Sequence, residues 1–185
     1  MTMNINMKKN EICRPVIKWV GGKRQLINEL KKRMPKNYNR YFEPFIGGGA
    51  LFFELRPKNA LINDYNPELT NLYKVLRDYP DKLIKSVCRH KNNEEYYYEI
   101  RAWDRDEKEY SKISDIDKAG RFIFLNKAGF NGLYRVNSKG QHNVPFGKYK
   151  EPKYCEPDNI NACSKLLQNT EITNGKLKIR INPLF

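Results

Sequence analysis

The sequence predicts a doubly wound α/β fold, and three features carry that prediction. Two short apolar runs, RYFEPF and NALIND, are each typical of a buried parallel strand. Between them lie three consecutive glycines, Gly47–Gly49, and the helix-forming segment ALFFEL. A strand, a glycine loop, a helix and a second strand within about 30 residues form a βαβ unit, which is half of a doubly wound fold.

Local patterns predict the elements that precede this unit. Residues 1–15 are polar and are expected to form a loosely held arm, and Val16–Val20 is an apolar run typical of a short strand. A Gly-Gly turn and an amphipathic helix follow, and Pro35 ends that helix. The apolar face of the helix consists of Leu26, Ile27 and Leu30.

The chain after the βαβ unit is predicted to be mainly helical, with one long loop. Residues 66–90 and 117–129 have helical periodicity, and the charged, Tyr-rich stretch 92–117 is predicted to be a surface helical region. Residues 130–154 are rich in Gly, Asn and Pro, yet they contain many aromatic and basic side chains. A structured loop of this length in a compact domain usually has a function.

The charge of the chain favours a polyanionic partner. The net charge is +14 over 185 residues, and residues 1–40 alone contain eleven Lys or Arg and two acidic residues. Basic side chains at a phosphate backbone gain affinity by releasing condensed counterions. The alternative is a chain from a Lys- and Asn-rich proteome that has no such partner.

Cysteine spacing and hydropathy exclude several other classes. No Cys-x-x-Cys motif is present, so no metal site is expected, and four unpaired thiols would suit a reducing cytosol. These are Cys13, Cys88, Cys155 and Cys163. No stretch approaches the roughly 20 apolar residues of a membrane span, and the N-terminus has no apolar signal region. We therefore expect a soluble, intracellular protein that does not use a membrane.

Two interpretations of the glycine loop follow from the residues alone. In the first, Gly47–Gly49 approach a ligand closely, and Asp64, at the end of the next strand, accepts hydrogen bonds from ribose hydroxyls. In the second, the glycines form only a tight strand–helix turn and Asp64 caps the next helix. The loop has neither G-x-G-x-x-G nor the Gly-Lys-Ser/Thr of a P-loop, which argues against dinucleotide and nucleoside triphosphate ligands.

A third segment, KWVGGKRQL, makes the pattern specific. It places Trp19 before a Gly-Gly turn and Lys23 after it. Together with FEPFIGGG and NDYN, it resembles the Dam-like, GATC-directed DNA adenine-N6 methyltransferases, whose motifs are K-W-x-G-G-K, E-P-F-x-G-x-G and a later acidic residue. The resemblance implies a Rossmann-like methyltransferase fold, here with an incomplete sheet, and a mostly helical target-recognition insert.

The resemblance also implies the cofactor, S-adenosylmethionine, and a division of the chain. Trp19 and Lys23 would line the methionine side of the cofactor, and Asp64 would hold the ribose. The loop itself would be formed by Phe45, Gly47 and Gly49. The arm would be residues 1–15, the cofactor-binding domain 16–75 and 161–185, and the target-recognition domain 76–160.

Residues 126–149 resemble the hairpin with which this family reads GATC. Arg135 is suited to donate two hydrogen bonds to O6 and N7 of a guanine. Leu133 and Pro145 offer apolar contacts to base edges, and Lys139 is suited to reach a phosphate. His142 stands where the family commonly has another aromatic residue. The alternative is a Gly- and Asn-rich surface hairpin with basic side chains.

The same hairpin contains candidates for base flipping. Phe130 would wedge into the base stack as the target adenine leaves it, and Asn131 would bond to the orphaned partner base. The implied activity is methyl transfer from S-adenosylmethionine to adenine in GATC-like sites of double-stranded DNA. The implied location is the cytoplasm, associated with the nucleoid through DNA.

The catalytic motif of the family is missing from this sequence. The family uses an Asp/Asn-Pro-Pro-Tyr/Phe loop to accept the protons of the adenine amine. The only candidate is Asn182, in the terminal N-P-L-F, and we favour chance similarity and a chain truncated before the catalytic motif. Two other functions stay open: a non-catalytic binding fragment or half of a split enzyme whose partner carries D-P-P-Y, and a dinucleotide-dependent oxidoreductase.

Overall fold

The computed structural model describes residues 13–21 and 23–176, which form a mixed α/β structure around a three-stranded parallel sheet. The strands are β1 (Tyr41–Glu43), β2 (Ala60–Asp64) and β3 (Thr170–Asn174), with β2 in the centre. Phe42 is in register with Leu61, and Ile62 with Ile172. The predicted strands β1 and β2 are therefore confirmed, whereas β3 follows from no pattern that we identified.

Helices cover the sheet and make up most of the regular secondary structure of the described residues. They are α1 (Ile27–Arg33), α2 (Ala50–Leu55), α3 (Pro67–Asp78), α4 (Pro80–Cys88), α5 (Glu94–Arg101), α6 (Glu107–Lys112), α7 (Asp115–Ala128) and α8 (Pro157–Leu167). Pro80 divides the helical stretch predicted for residues 66–90, because a proline is tolerated at the first turn of α4 but not inside a helix. Helices α3, α4, α7 and α8 pack against one another.

The main core lies between the sheet and these helices. Phe52, Leu72 and Ile123 are buried there with Ile62 of the central strand. A second, smaller cluster forms where α5 packs on α7, around Tyr97 and Phe124. The Tyr-rich stretch is therefore only partly a surface region, because burying large aromatic side chains removes much apolar area from water.

The strand predicted for Val16–Val20 is not formed. Val16 and Ile17 are buried, as their hydrophobicity suggests, but the segment is irregular. At Lys18, in the middle of the segment, the backbone is paired with a side chain instead of a neighbouring strand. Asn126 accepts a hydrogen bond from the Lys18 N–H at 2.7 Å and donates one to its C=O at 2.9 Å, so these backbone groups need no ladder.

The prediction of four unpaired thiols is wrong for one pair. The structure joins Cys88 to Cys155 in a disulfide, across 67 residues of sequence. The end of α4 meets the segment before α8, which brings the two Cα atoms to 4.8 Å, a distance that a disulfide spans. Cys13 and Cys163 are free thiols with Sγ atoms 2.8 Å apart.

Within residues 13–21 and 23–176, no helix is long and apolar enough to cross a membrane. In the same residues, no group of three or more His, Cys, Asp and Glu side chains is placed to hold a metal ion.

His142 is expected to make the stability of the folded chain depend on pH. Its ring is buried, Nδ1 has no hydrogen-bond partner, and burial, with the positive charge of Arg121, lowers its pKa to about 3. Between its usual pKa of about 6.5 and that value, the unfolded chain takes up a proton that the folded chain does not. The folded state therefore loses stability as the pH falls through this window.

We predict that His142→Phe makes stability less dependent on pH. Between pH 7 and pH 5, the unfolding free energy of the native chain should fall by about 2 kcal/mol more than that of the variant. Urea unfolding at both pH values measures this difference. His90, whose pKa burial lowers to about 4, is present in both proteins and serves as an internal control. An equal fall in unfolding free energy in both proteins would show that His142 does not cause the pH dependence.

Candidate functional site

The glycine loop between β1 and α2 is shaped by close packing. Gly47 has φ +51°, and a Cβ there would lie 2.8 Å from Cδ1 of Trp19. Gly49 has φ +73°, and a Cβ there would lie 2.8 Å from the hydroxyl of Tyr73. Both positions favour glycine on backbone grounds and leave no room for a side chain. The loop therefore lies directly on the indole of Trp19.

Asp64 ends the central strand and faces this loop. Its Oδ2 accepts a hydrogen bond from the Gly47 N–H at 3.0 Å, and its Oδ1 accepts one from the Asn66 N–H at 3.0 Å. The cap of α3 is Asn66, whose side chain accepts from the Glu68 N–H at 2.9 Å. Asp64 is therefore not the helix cap, and each carboxylate oxygen has a further lone pair with which to accept a ligand hydroxyl.

Lys23 is held at the end of β1. Its ammonium donates to Oε1 of Glu43 at 2.8 Å and to the C=O of Phe45 at 3.2 Å. Glu43 is 4% exposed, and its Oε2 accepts from the Tyr41 hydroxyl at 2.7 Å. A buried carboxylate needs such partners. Sequence reasoning missed Glu43, although an acidic residue at the end of an apolar strand is a visible signal.

These residues line one cavity of about 250 Å³. The wall is made by the glycine loop, the turn after Trp19 and the end of β2: Trp19, Val20, Gly21, Lys23, Phe45, Ile46, Gly47, Gly48, Gly49, Ala50 and Asp64. The six residues that the sequence predicted to hold a cofactor are all among them. They come from three separate segments of the chain.

A larger cavity of about 900 Å³ adjoins the first and shares four lining residues with it: Trp19, Gly21, Gly48 and Ala50. Its lining is rich in cations: Arg14, Lys18, Arg24, Lys127 and Lys153. Two acidic residues, Glu151 and Glu156, also line it. Glu156 forms ion pairs with Arg14 and, at 3.6 Å, with Lys127. Burial lowers the pKa of Lys127, and Glu156 opposes that shift.

Arg135 projects from the loop after α7 and is fixed by one neighbour. Its Nε donates to Oδ1 of Asn143 at 2.7 Å, and its Nη2 donates to the Asn143 C=O at 3.0 Å. The backbone returns the contact, because the Asn143 N–H donates to the Arg135 C=O at 3.0 Å. These bonds use two of the five N–H groups of a guanidinium and orient its plane.

The other predicted DNA-contacting residues lie on the same loop. Phe130 is 49% exposed, and its N–H donates to the C=O of Pro145, which is also exposed. Asn131 adopts a left-handed conformation with φ +53°, and its N–H donates to the Tyr149 hydroxyl. Lys139 is exposed in the turn.

Leu133 is half-buried and is the least accessible of the predicted DNA contacts. Asn182, the catalytic candidate, and the strand-like tail from residue 177 onward lie outside the described residues.

The comparisons with known proteins establish the family. Residues 19–182 match the family described as D12 class N6 adenine-specific DNA methyltransferase. The chain therefore belongs to this family of DNA adenine methyltransferases, and the resemblance noted in the sequence is confirmed.

Several characterised proteins are similar to this chain. The type II methyltransferase M1.LlaDCHI of Lactococcus lactis subsp. cremoris is 48% identical over 172 residues, which cover 92% of this chain and 60% of that protein. Type II methyltransferase M.MjaIII of Methanocaldococcus jannaschii is 38% identical, covering 90% and 63%. The DNA adenine methylase of Escherichia coli is 34% identical, covering 86% and 55%. The chain thus spans little more than half the length of these relatives.

Proposed function

We propose that this chain binds S-adenosylmethionine in the smaller cavity and GATC-like double-stranded DNA along the larger one. It would thereby form the cofactor-binding and target-recognition parts of a site-specific adenine-N6 methyltransferase. The observation that carries the proposal is the single cavity lined by Trp19, Lys23, Phe45, the glycine loop and Asp64. Family membership supplies the reaction class.

The side chains of the cavity suit the cofactor. Asp64 has acceptor capacity on both carboxylate oxygens for the two ribose hydroxyls. Trp19 and Phe45 offer apolar faces, and Lys23, oriented by Glu43, would bring a positive charge to the methionine carboxylate. When bound, S-adenosylmethionine supplies an activated methyl group on its sulfonium.

The DNA would follow the basic side of the molecule. Cations around the larger cavity would bind phosphates, which position a duplex without reading its sequence. Arg135, oriented by Asn143, would read a guanine edge. Phe130 would fill the space left by the flipped adenine, since it is exposed on the loop that carries Arg135.

The proposal includes a division of labour within the chain. The strands and α3 would belong to a Rossmann-like cofactor domain, and residues 76–160, which contain α4–α7 and the loop after them, would form the target-recognition domain. A protein with this function would work in the cytoplasm, at the nucleoid.

We further propose, as the second candidate function, that the chain is one part of a split methyltransferase. In the described sheet, β1 pairs with β2 alone. In a doubly wound fold, the strand after the first three pairs with the other edge of the first strand, beside the ligand. A second polypeptide would place its catalytic loop there.

Asp64→Asn should weaken S-adenosylmethionine binding by about fivefold or more. An amide has only one oxygen, so its NH₂ group would face the N–H of Gly47 or Asn66 and could not accept a bond from a ribose hydroxyl. An unmatched polar contact of this kind costs about 1–3 kcal/mol. Calorimetric titration measures the affinity. Asp78→Asn, which neutralises an exposed carboxylate paired with Arg77, is the matched control. Tighter binding of NAD than of S-adenosylmethionine would instead favour an oxidoreductase.

Arg135→Ala should cost about 1–3 kcal/mol of DNA affinity and relax the preference at one guanine. Gel shifts with GATC duplexes, and with duplexes altered at each position in turn, measure both effects. Lys139→Ala is the control, because a phosphate contact weakens binding to all sequences alike and lowers the salt dependence. A uniform loss in Arg135→Ala would make that residue a phosphate contact as well.

The split-enzyme proposal predicts complementation. A polypeptide that carries the family's D-P-P-Y segment should generate GATC-dependent methyl transfer when it is mixed with this chain. The same polypeptide with the Asp of that motif changed to Ala is the control. The proposal fails if the mixture binds cofactor and DNA but transfers no methyl group.

A further inference from the structure

Tyr134 belongs to the loop that carries Arg135, and its ring packs on Trp19, which lines the proposed cofactor cavity. Its ring stacks on Trp19, with centroids 5.4 Å apart and an interplanar angle of 26°. It also packs against Phe122 at 5.3 Å and meets His142 edge-on at 6.0 Å. Burial raises the pKa of the phenol to about 12, so the hydroxyl is neutral at physiological pH.

Tyr134 also lies near residues that hold Asp64, on the other side of the proposed cofactor cavity. The side chain of Asn66 lies near the Tyr134 hydroxyl and opposes the rise in the phenol pKa that burial causes. The backbone N–H of Asn66 donates to one carboxylate oxygen of Asp64, and the other oxygen accepts from Gly47. Tyr134 therefore contacts one wall of the cavity directly through Trp19 and is two residues removed from the other.

The same tyrosine is bonded in sequence to the reading residues, since Leu133 precedes it and Arg135 follows. The buried side chain of Asn126 ties the two segments together at their bases. It bonds to both backbone groups of Lys18, and it donates to the C=O of Gly132 at 2.9 Å. The segment that carries Trp19 and the loop that carries Arg135 are therefore joined through Asn126 as well as through the ring stack.

We propose that Tyr134 is a positioning residue that couples cofactor binding to DNA reading. This inference rests on the proposed function. Cofactor packed against Trp19 fixes the indole, the stacked Tyr134 ring is fixed with it, and Arg135 is held ready for its base. By linkage, the DNA strengthens cofactor binding by the same factor. The ring stack carries the coupling, and the hydroxyl contributes less.

The test is a set of paired titrations. S-adenosylmethionine is titrated into the chain alone and into the chain saturated with a GATC duplex, and the ratio of the two Kd values is the coupling. For the native chain we expect a ratio of roughly five or more, within the usual range for coupled sites. A ratio of one would overturn the inference, although both ligands bind. Failure of the native chain to bind either ligand alone would overturn the proposed function and the inference with it.

Three variants assign the coupling to the ring. Tyr134→Leu should reduce the ratio to below two, whereas Tyr134→Phe, which keeps the stack, should hold it within twofold of the native value. Tyr96→Leu is the matched control, since that half-buried tyrosine packs on Phe124 and His90, and the ratio should not change. Equal weakening of both Kd values in Tyr134→Leu, with the ratio preserved, would mean a purely structural role and would overturn the inference.

Hydrogen exchange on the native chain tests the same point without a variant. The N–H of Asn143 donates to Arg135, and the N–H of Gly132 donates to Gly129. Adding S-adenosylmethionine without DNA should slow exchange of these loop amides by severalfold. Protection confined to the cavity segments, with no change in the loop, would contradict the coupling.

Discussion

The contact between Trp19 and the glycine loop is the constraint on which the site depends. The indole lies where side chains at Gly47 and Gly48 would otherwise be, so the loop can approach it closely. This packing fixes one wall of the smaller cavity, and Asp64 holds the same part of the loop by accepting the Gly47 N–H. The glycines are thus required by the protein itself. The case for a ligand comes from the cavity that this packing leaves.

A buried ionic network fixes the loop that carries Arg135 to helix α7. Arg121 is 1% exposed, and its guanidinium donates to the backbone carbonyls of Ile100 and Arg101 and pairs with Asp104 at 2.8 Å. Asp104 in turn accepts the N–H of His142 in the loop. A buried charge is tolerated only with such complete pairing. The loop that carries Arg135 is therefore held to helix α7 through Asp104, which contacts both Arg121 and His142.

Much of this architecture follows from local sequence. Strands β1 and β2 and helix α2 were predictable because an apolar run, a turn signal and a helix former each act within a few residues. The cofactor candidates were predictable from motifs alone. Glu43 was missed because its role depends on an ion pair with Lys23, which lies 20 residues earlier in the chain.

The features that could not be predicted depend on distant partners. Val16–Val20 is not a strand because Asn126, more than 100 residues away, satisfies the Lys18 backbone. Strand β3 forms by parallel pairing with β2, about 110 residues earlier, which brings Ile172 into register with Ile62. Cys88 and Cys155 pair because two elements meet, which no spacing rule reveals.

The proposal that the chain holds S-adenosylmethionine beside the glycine loop and reads a GATC-like site with Arg135 is tested most directly by binding measurements. Labelled S-adenosylmethionine is titrated into the chain, and a GATC duplex is then titrated in parallel with a GATT duplex. We predict that the chain binds the cofactor and binds the GATC duplex more tightly than the GATT duplex. Equal affinity for the two duplexes, or no binding of the cofactor, would contradict the proposal.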